Sequence, residues 1–170
     1  MICEDEAKEQ ELLAKKQCLY SQIDLPKSGQ QVLQHMAAHI HYDSSIKASQ
    51  EPCSLCLRYS QCIFYLTKGK GKDALPRIDE KYSHCLNFTN FSYAMAMTST
   101  QGSPCLNVPL KCPFCPSSAP AVWRYNMQYH LRARHAYVSL PENEAIWKIG
   151  HSEKEGLKKI WADRKKVKKV

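Results

Sequence analysis

The chain has 170 residues, nine cysteines, seven histidines and a net charge of +8, and its pI is near 9.0. With only four phenylalanines and three tryptophans, a conventional core would be thin, so metal ions are expected to supplement it. No apolar run approaches the roughly 18 residues of a membrane span, and the acidic start does not resemble a signal peptide. A secreted protein and a membrane partner are therefore not expected. In a reducing compartment, clustered Cys and His are expected to bind metal.

The first segment, residues 1–27, is predicted to be helical over about 4–20, where Glu, Lys, Ala and Leu dominate without Gly or Pro. A Pro-Lys-Ser-Gly sequence ends this helix. A second helix is predicted over about 30–41 because apolar residues recur on one face at helical spacing. His35 and His39 lie next to that face, four residues apart.

The region 28–108 is predicted to be a zinc-knuckle region, because Cys53-Ser-Leu-Cys56 has the spacing of a metal-binding turn. Lys68-Gly-Lys-Gly-Lys72 is predicted to be a basic, flexible loop. Three short extended segments are predicted around this loop: 63–66, 77–79 and 88–97.

Residues 109–137 are predicted to form a zinc finger. Its expected ligands are Cys112, Cys115, His130 and His135. A tight turn supplies two thiolates and a helix from about Val122 supplies two imidazoles, which together suit a tetrahedral structural zinc. The fourteen residues between the pairs accommodate a chain reversal and two helical turns. Residues 138–170 are predicted to be a basic C-terminal helix, over about 141–166, and tail.

A second Zn²⁺ is expected upstream of the finger, and the spacing leaves two ligand sets open. The favoured set is His35, His39, Cys53 and Cys56. It has the finger's ligand order reversed, with a thirteen-residue spacer. The rival set is Cys53, Cys56, Cys62 and Cys85, with His84 or Cys105 as replacements. Cys3 and Cys18 are expected to have no metal role.

No catalytic role is expected for this chain. His35-Met-Ala-Ala-His39 shares the His-x-x-x-His spacing of zinc metalloproteases. Those enzymes need a Glu after the first histidine as general base, and here Met36 stands at that position. We therefore expect the metal ions to be structural.

The segment Val122-Trp-Arg-Tyr-Asn-Met-Gln-Tyr-His-Leu-Arg-Ala-Arg-His135 resembles the helix of a C2H2-type zinc finger. The fourteen-residue spacer between the ligand pairs and the His-Leu-Arg-x-x-His ending make the finger more similar to the BED-type fingers of transposase-related proteins than to an ordinary C2H2 finger. The resemblance implies a ββα finger whose helix contacts DNA. The residues at the positions that meet bases are Trp123, Tyr125, Asn126 and Tyr129. Of these, Asn126 is suited to reading adenine. The residues suited to holding phosphates are Arg124, Arg132 and Arg134.

Further motifs extend this resemblance upstream. They are Val32–Ile40, Glu51–Arg58, Lys68-Gly-Lys-Gly, Phe91-Ser-Tyr-Ala and Ser103–Pro109. With the finger, they resemble an uncharacterised zinc-finger family that is expanded in mushroom-forming fungi and often lies near mobile elements. The match covers about 28–135 and implies that knuckle and finger form one module. The chain departs from the family at Ser54, where members carry glycine, and at Tyr59-Ser60, where they carry a proline-containing turn.

These observations predict a small, zinc-stabilised α+β protein with a ββα finger, short β-hairpins and flanking helices. The expected function is nucleic-acid binding in the nucleus, with DNA favoured, as a regulator or a transposon-derived factor. The basic residues expected to neutralise phosphate, besides the finger arginines, are Lys68, Lys70, Lys72, Arg164, Lys165, Lys166, Lys168 and Lys169. The alternative is a protein-interaction module that presents Tyr125 and Tyr129 as an exposed patch on the finger helix.

Overall fold

A computed structural model describes residues 3–59 and 61–164 of the chain. Helices and short strands are interspersed, which confirms the α+β class. The described α-helices are α1 (Glu4–Ala14), α2 (Gly29–Tyr42), α3 (Tyr93–Ala96), α4 (Met127–Arg134) and α5 (His151–Asp163). The described strands are β1 (Leu66–Thr67), β2 (Arg77–Ile78), β3 (Pro109–Leu110) and β4 (Val122–Trp123). Short 3-10 turns lie at Ala48–Gln50, Arg124–Asn126 and Pro141–Ile146.

Helix α2 forms the centre of the core because its apolar side chains recur every three or four residues and cover one face. Leu33 and Met36 have no exposed surface. Leu13 of α1 and Leu157 of α5 pack into the same hydrophobic cluster, so distant parts of the chain share one core. The helix predicted over 30–41 is confirmed to within one residue at each end.

The four strands form two small antiparallel hairpins. In the first, β1 pairs with β2 and Leu66 lies opposite Ile78. In the second, β3 pairs with β4 and Leu110 lies opposite Val122. Strand β4 leads through the 3-10 turn at Arg124–Asn126 into helix α4. The second hairpin therefore stands directly before the helix that carries the first finger histidine.

The strand predicted at 63–66 begins later than expected. Ile63 instead forms a single antiparallel bridge with His84, in which each residue donates its N–H to the other's carbonyl. This bridge returns the chain after β2 to the region of the knuckle. It thereby determines which cysteines can meet there.

Two further predicted elements differ from the structure. The helix predicted over 4–20 ends at Ala14, and Lys16 has a left-handed φ of 55° that reverses the chain. The segment predicted as extended over 88–97 contains helix α3. Ser92 caps this helix, because its side chain accepts a hydrogen bond from the backbone N–H of Met95. The period-two pattern of this segment was therefore outweighed by a local cap.

Helix α5 packs along α2, and the continuous helix predicted over 141–166 is wrong. A 3-10 turn comes first, and α5 begins only at His151. Gly156 faces Pro104 so closely that a Cβ atom at this glycine would collide with the proline ring. Residues 165–170, which include the lysines of the predicted basic tail, lie outside the described residues.

Among the described helices, none combines the length and the apolar character that crossing a membrane would require.

Leu157→Ala is expected to lower the free energy of unfolding by about 2–5 kcal/mol. The side chain is fully buried between α5 and the core, so the substitution removes apolar contacts and leaves a cavity. Urea denaturation followed by circular dichroism measures the change. Lys158→Ala, at an exposed position of the same helix, is the control and should change the free energy by no more than about 0.5 kcal/mol. Equal effects of the two substitutions would contradict the packing of α5 on the core.

Candidate metal centres

The finger cluster consists of Cys112, Cys115, His130 and His135, whose ligand atoms all lie within 4.8 Å of one another. Cys115 Sγ is 3.3 Å from His130 Nε2 and 3.2 Å from His135 Nε2. Cys112 Sγ is 3.6 Å from His135 Nε2. A tetrahedral ion with bonds of about 2.0–2.3 Å holds its ligand atoms roughly 3.3–3.8 Å apart. The four predicted side chains are therefore arranged as metal ligands.

The local fold directs these four side chains toward one point. Cys112 and Cys115 follow strand β3 in a tight turn, in which the backbone N–H of Cys115 donates to the carbonyl of Cys112 at 3.3 Å. Helix α4 carries the first histidine, and the second is its C-terminal capping residue. Met127 and Leu131 have no exposed surface and pack against Cys112 beneath the cluster. This small core is separate from the main one, and Leu140, Ile146 and Trp147, which follow the finger, also pack against it.

Glu51 connects the finger cluster to the knuckle. Its Oε1 atom lies 3.6 Å from Nδ1 of His130, whose Nε2 faces Cys115. A carboxylate beside the outer nitrogen of a ligand histidine fixes the ring and raises its basicity. Glu51 stands two residues before Cys53, so the knuckle places a carboxylate next to the finger histidine.

A second group, the four-cysteine cluster, consists of Cys53, Cys56, Cys62 and Cys85. The Sγ atoms of Cys53 and Cys85 are 3.8 Å apart, and those of Cys56 and Cys62 are 3.5 Å apart. Both distances exceed the roughly 2.05 Å of a disulfide bond and match the sulfur separation around a tetrahedral ion. The described cysteines form no disulfide. This cluster is thus a second candidate metal centre.

The favoured sequence-based ligand set for the second centre does not come together in the structure. Cys53 and Cys56 meet the other two cysteines of their cluster, whereas His35 and His39 lie in a different group. The cause is the bridge between Ile63 and the residue before Cys85, which brings this cysteine back to the knuckle. The rival prediction therefore describes the second centre, and neither proposed replacement belongs to it. Those replacements are His84, which is exposed, and Cys105, which is buried elsewhere.

Backbone geometry holds the knuckle in place. The N–H of Cys53 donates to the carbonyl of Arg58 at 2.9 Å, and the N–H of Leu57 donates to the carbonyl of Cys53 at 2.7 Å. Leu57 has a left-handed φ of 64°, which closes the turn after the second cysteine. The N–H of Leu55 also points at Cys53 Sγ, 3.4 Å away. The turn is therefore shaped around its sulfur atoms.

Two short Cys-Leu-Asn sequences support the knuckle from either side. Asn87 donates from Nδ2 to the carbonyl of Leu55 at 2.6 Å, and Asn107 donates to the hydroxyl of Ser54. Both asparagines are buried. The repeated sequence is visible in the chain, but its shared role as a tether for the knuckle requires the fold. Only the first copy also supplies a cluster member, Cys85.

The protonation of the four-cysteine cluster depends on the proximity of its thiols. Burial raises the pKa of Cys53 well above its ordinary value, and hydrogen bonds with neighbouring thiols raise it further. Hydrogen bonds from the other three cysteines lower the pKa of Cys62. Four thiols packed this closely need a cation before all of them lose their protons. Metal binding would therefore release protons, and metal affinity would fall as the pH falls.

A third group was not predicted from the sequence. Cys18, expected to have no metal role, is fully buried and lies with His35 and His39, all three ligand atoms being within 4.8 Å of one another. The i, i+4 spacing of the histidines was a usable signal for a metal-binding pair. Nothing in the sequence around Cys18 indicated that it would be the partner.

The residues expected to meet bases are largely buried. Asn126 is 3% exposed and donates from Nδ2 to the carbonyl of Pro52 at 2.9 Å. Trp123 and Tyr125 are also buried. The 3-10 turn that carries Tyr125 and Asn126 is packed against the knuckle and helix α5, and Trp123 ends strand β4 just before it. The expected adenine contact by Asn126 is therefore incompatible with this fold, and so is an exposed patch that contains Tyr125.

One of the arginines expected to hold phosphate, Arg124, instead contacts helix α5 and the residues just before it. Arg124 Nη1 is 3.5 Å from the buried Glu153 carboxylate, and another guanidinium nitrogen donates to the carbonyl of Lys148. Through its other oxygen, Oε1, Glu153 accepts hydrogen bonds from the hydroxyl of Tyr125 and from the N–H of Leu106. This carboxylate therefore ties the start of the finger helix to the C-terminal helix.

Arg132 and Arg134 remain exposed on α4. Within the described part of the chain, neither forms an ion pair with a carboxylate. The guanidinium carbon of Arg132 is 5.9 Å from the ring centroid of half-buried Tyr129. Lys68 of the hairpin loop and Lys111 beside the finger turn line one groove of about 380 Å³. Cationic side chains are thus available at the finger and at the adjoining loop.

No protein-family model matches this chain, and no curated protein or solved structure is significantly similar to it.

Proposed function

We propose that the finger cluster and the four-cysteine cluster each bind Zn²⁺ and that the resulting module binds nucleic acid. The donor sets support zinc, because thiolate and imidazole ligands at tetrahedral spacing suit it better than the hard cations, which prefer oxygen. Each cluster offers four protein ligands, which is typical of a structural rather than a catalytic site. The metal ions would then stabilise a binding surface.

The observation that carries the nucleic-acid proposal is the set of exposed cations without carboxylate partners among the described residues. Arg132 and Arg134 lie on the finger helix, and Lys68 and Lys111 line the groove between hairpin loop and finger. The net charge of +8 favours polyanions in general. Tyr129 beside Arg132 adds an aromatic ring of the kind on which bases stack. A nuclear location accords with this function.

The proposed binding depends on phosphate contacts rather than on reading bases from the 3-10 turn. Trp123, Tyr125 and Asn126 are buried and therefore lie outside the contact surface. Phosphate contacts position a protein on DNA but carry no sequence information. We therefore expect affinity for duplex DNA with weak sequence preference.

Replacing Arg132 and Arg134 together by alanine is expected to weaken binding to a random-sequence DNA duplex. The slope of log affinity against log salt should become shallower by about 2, because each lost phosphate contact removes roughly 0.9 from the slope. Fluorescence anisotropy across a salt series measures this. The charge-matched control replaces Lys8 of helix α1 and Lys15, which caps that helix, and should leave the slope closer to that of the unmodified protein.

Binding that ignores salt, or equal losses in the two double variants, would refute the proposed surface. A single-stranded RNA of equal length, measured in parallel, tests the preference for DNA. Zinc content measured on every variant ensures that a loss of binding is not a loss of metal.

A protein-interaction module is the second candidate, and it is favoured by exposed apolar side chains on another part of the molecule. Met95 is 61% exposed and Met97 45%, and Leu75 of the hairpin loop is 43% exposed. Methionine-rich surfaces adapt to protein partners. If this alternative holds, replacing both methionines by serine should reduce capture of a protein partner. If the leading proposal holds, the same replacement should leave DNA binding unchanged.

A further inference from the structure

The third group, here called the Cys18 cluster, joins a turn to a helix. Cys18 lies in a reversed turn closed by the bridge between Gln17 and Asp24, and its N–H donates to the carbonyl of Ile23 at 2.9 Å. The histidines stand one helical turn apart on α2, so both rings project from the same face. The cluster therefore combines one turn thiol with a helical histidine pair, whereas the finger cluster combines two turn thiols with its histidine pair.

Distances in the Cys18 cluster are those of a coordination sphere. Cys18 Sγ is 3.5 Å from His39 Nε2, and the ring centroids of His35 and His39 are 4.9 Å apart. The ligand atoms of all three residues lie within 4.8 Å of one another. An ion between Cys18 Sγ and His39 Nε2 would have ordinary bond lengths to both, and His35 lies near enough to supply the third ligand.

One buried atom in the cluster indicates a missing partner. His35 Nε2 is buried and has no hydrogen-bond partner among the described residues. A buried polar atom left without a partner is destabilising, so such atoms normally have one. A metal ion bound at this nitrogen would satisfy it.

A carboxylate supports the second histidine from outside the cluster. Asp43 Oδ2 is 2.8 Å from His39 Nδ1, so the ring donates its outer N–H to the carboxylate and turns Nε2 toward Cys18. This arrangement of carboxylate and histidine typically orients metal ligands.

From this geometry we propose that Cys18, His35 and His39 bind a third Zn²⁺ ion, with a water molecule as its fourth ligand. This set leaves one coordination position for a non-protein ligand. A groove of about 590 Å³, lined by His39, Ser21 and Arg164, borders the cluster and gives water a path. The Trp161 ring of α5 meets the His39 ring edge-on at 5.1 Å. The third ion would therefore fasten the N-terminal turn, α2 and α5 together.

A nucleophilic Cys-His-Asp arrangement is the rival explanation, because Cys18, His39 and Asp43 form a chain of hydrogen-bonded groups. A nucleophile must be reached by its substrate, and Cys18 has no exposed surface. This explanation also gives His35 no role. The metal site accounts for all four side chains.

The test is the number of zinc ions bound per chain, counted by native mass spectrometry of the full-length protein with inductively coupled plasma analysis as a check. Three ions are expected in the unmodified protein and two in Cys18→Ser. Cys105→Ser is the control, since Cys105 is equally buried but belongs to none of the three clusters, and it should retain three ions. His35→Gln should also retain only two and provides a second variant if Cys18→Ser fails to fold.

Alkylation with iodoacetamide, mapped by peptide mass spectrometry, separates the two explanations in the unmodified protein. Zinc should protect Cys18, and a chelator, which also removes the ions proposed to stabilise the fold around this buried thiol, should expose it to alkylation. Two bound ions in the unmodified protein would overturn the proposal. Rapid alkylation of Cys18 in the fully zinc-loaded protein would overturn it as well and would favour the nucleophile.

Discussion

Cys112→Ser is expected to release one bound metal ion and to unfold helix α4. The finger has a small hydrophobic core of its own, in which Met127 and Leu131 pack beneath Cys112. A structural zinc ion contributes on the order of 10 kcal/mol to the folding of such a module. Because this is comparable to the whole stability of a small domain, about 5–15 kcal/mol, the remaining contacts should not keep α4 folded.

Native mass spectrometry and amide hydrogen exchange measure the two parts of this prediction. The unmodified protein and the control Cys3→Ser, which changes an exposed cysteine outside the clusters, should keep the ion and slow exchange in α4. In Cys112→Ser, amides of α4 should exchange at the rate of an unfolded chain, whereas those of α2 should remain protected. Protection of α4 without the ion would show that packing alone maintains the finger.

The outcome depends on how closely the finger is attached to the rest of the protein. The N–H of Ala121 donates to the carbonyl of Phe64 at 2.7 Å, and the rings of Phe64 and Trp123 meet edge-on with centroids 5.1 Å apart. Strand β4 is therefore held by its contacts with the main core, whereas α4 is held mainly by the metal ion. We expect the boundary between retained and lost protection to fall within the 3-10 turn at Arg124–Asn126.

The finger ligands could be predicted from the sequence because all four lie within 24 residues and each pair has a diagnostic spacing. Helix α2 could also be predicted, because the helical spacing of its apolar residues lies within one short segment. For both features, the information that specifies the structure is contained in one short segment. The prediction therefore needed no knowledge of how distant segments pack.

The second centre could not be settled in the same way, because its fourth ligand comes from a distant part of the chain. Cys85 reaches the knuckle only through the bridge between Ile63 and His84, and no local pattern specifies that bridge. Cys18 likewise meets its histidines only after the chain has folded. For isolated cysteines, sequence spacing gives no reason to prefer a ligand over a small buried residue.

The burial of Asn126 was missed for a related reason. A finger sequence by itself suggests a helix whose first residues face solvent, as in a free-standing finger. Here Pro52 accepts the hydrogen bond of Asn126, and Glu153 of α5 accepts that of Tyr125. Each partner lies at least 28 residues from the residue that it binds, so the resemblance could indicate the helix but not its surroundings.

Cys85→Ser is expected to remove the ion of the four-cysteine cluster and to destabilise the knuckle. The chain contains a matched control, because Cys85 and Cys105 both occur in Cys-Leu-Asn sequences whose asparagine is bound to the knuckle turn. Only Cys85 belongs to a cluster. Cys85→Ser should therefore lose one ion. Because a structural zinc ion contributes about 10 kcal/mol, this variant should also lose cooperative unfolding. Cys105→Ser should keep that ion and unfold cooperatively.

Comparing Cys85→Ser with His35→Gln distinguishes the two ligand sets for the second centre. If four cysteines bind the ion, Co²⁺ in this centre has four thiolate ligands and a strong sulfur-to-metal charge-transfer absorption. His35→Gln should remove only the smaller absorption that comes from the single Cys18 thiolate, whereas Cys85→Ser should cause the larger loss that comes from the four-cysteine cluster. The opposite result would restore the set of His35, His39, Cys53 and Cys56. In that case the bridge between Ile63 and His84 would no longer account for the way the metal is held.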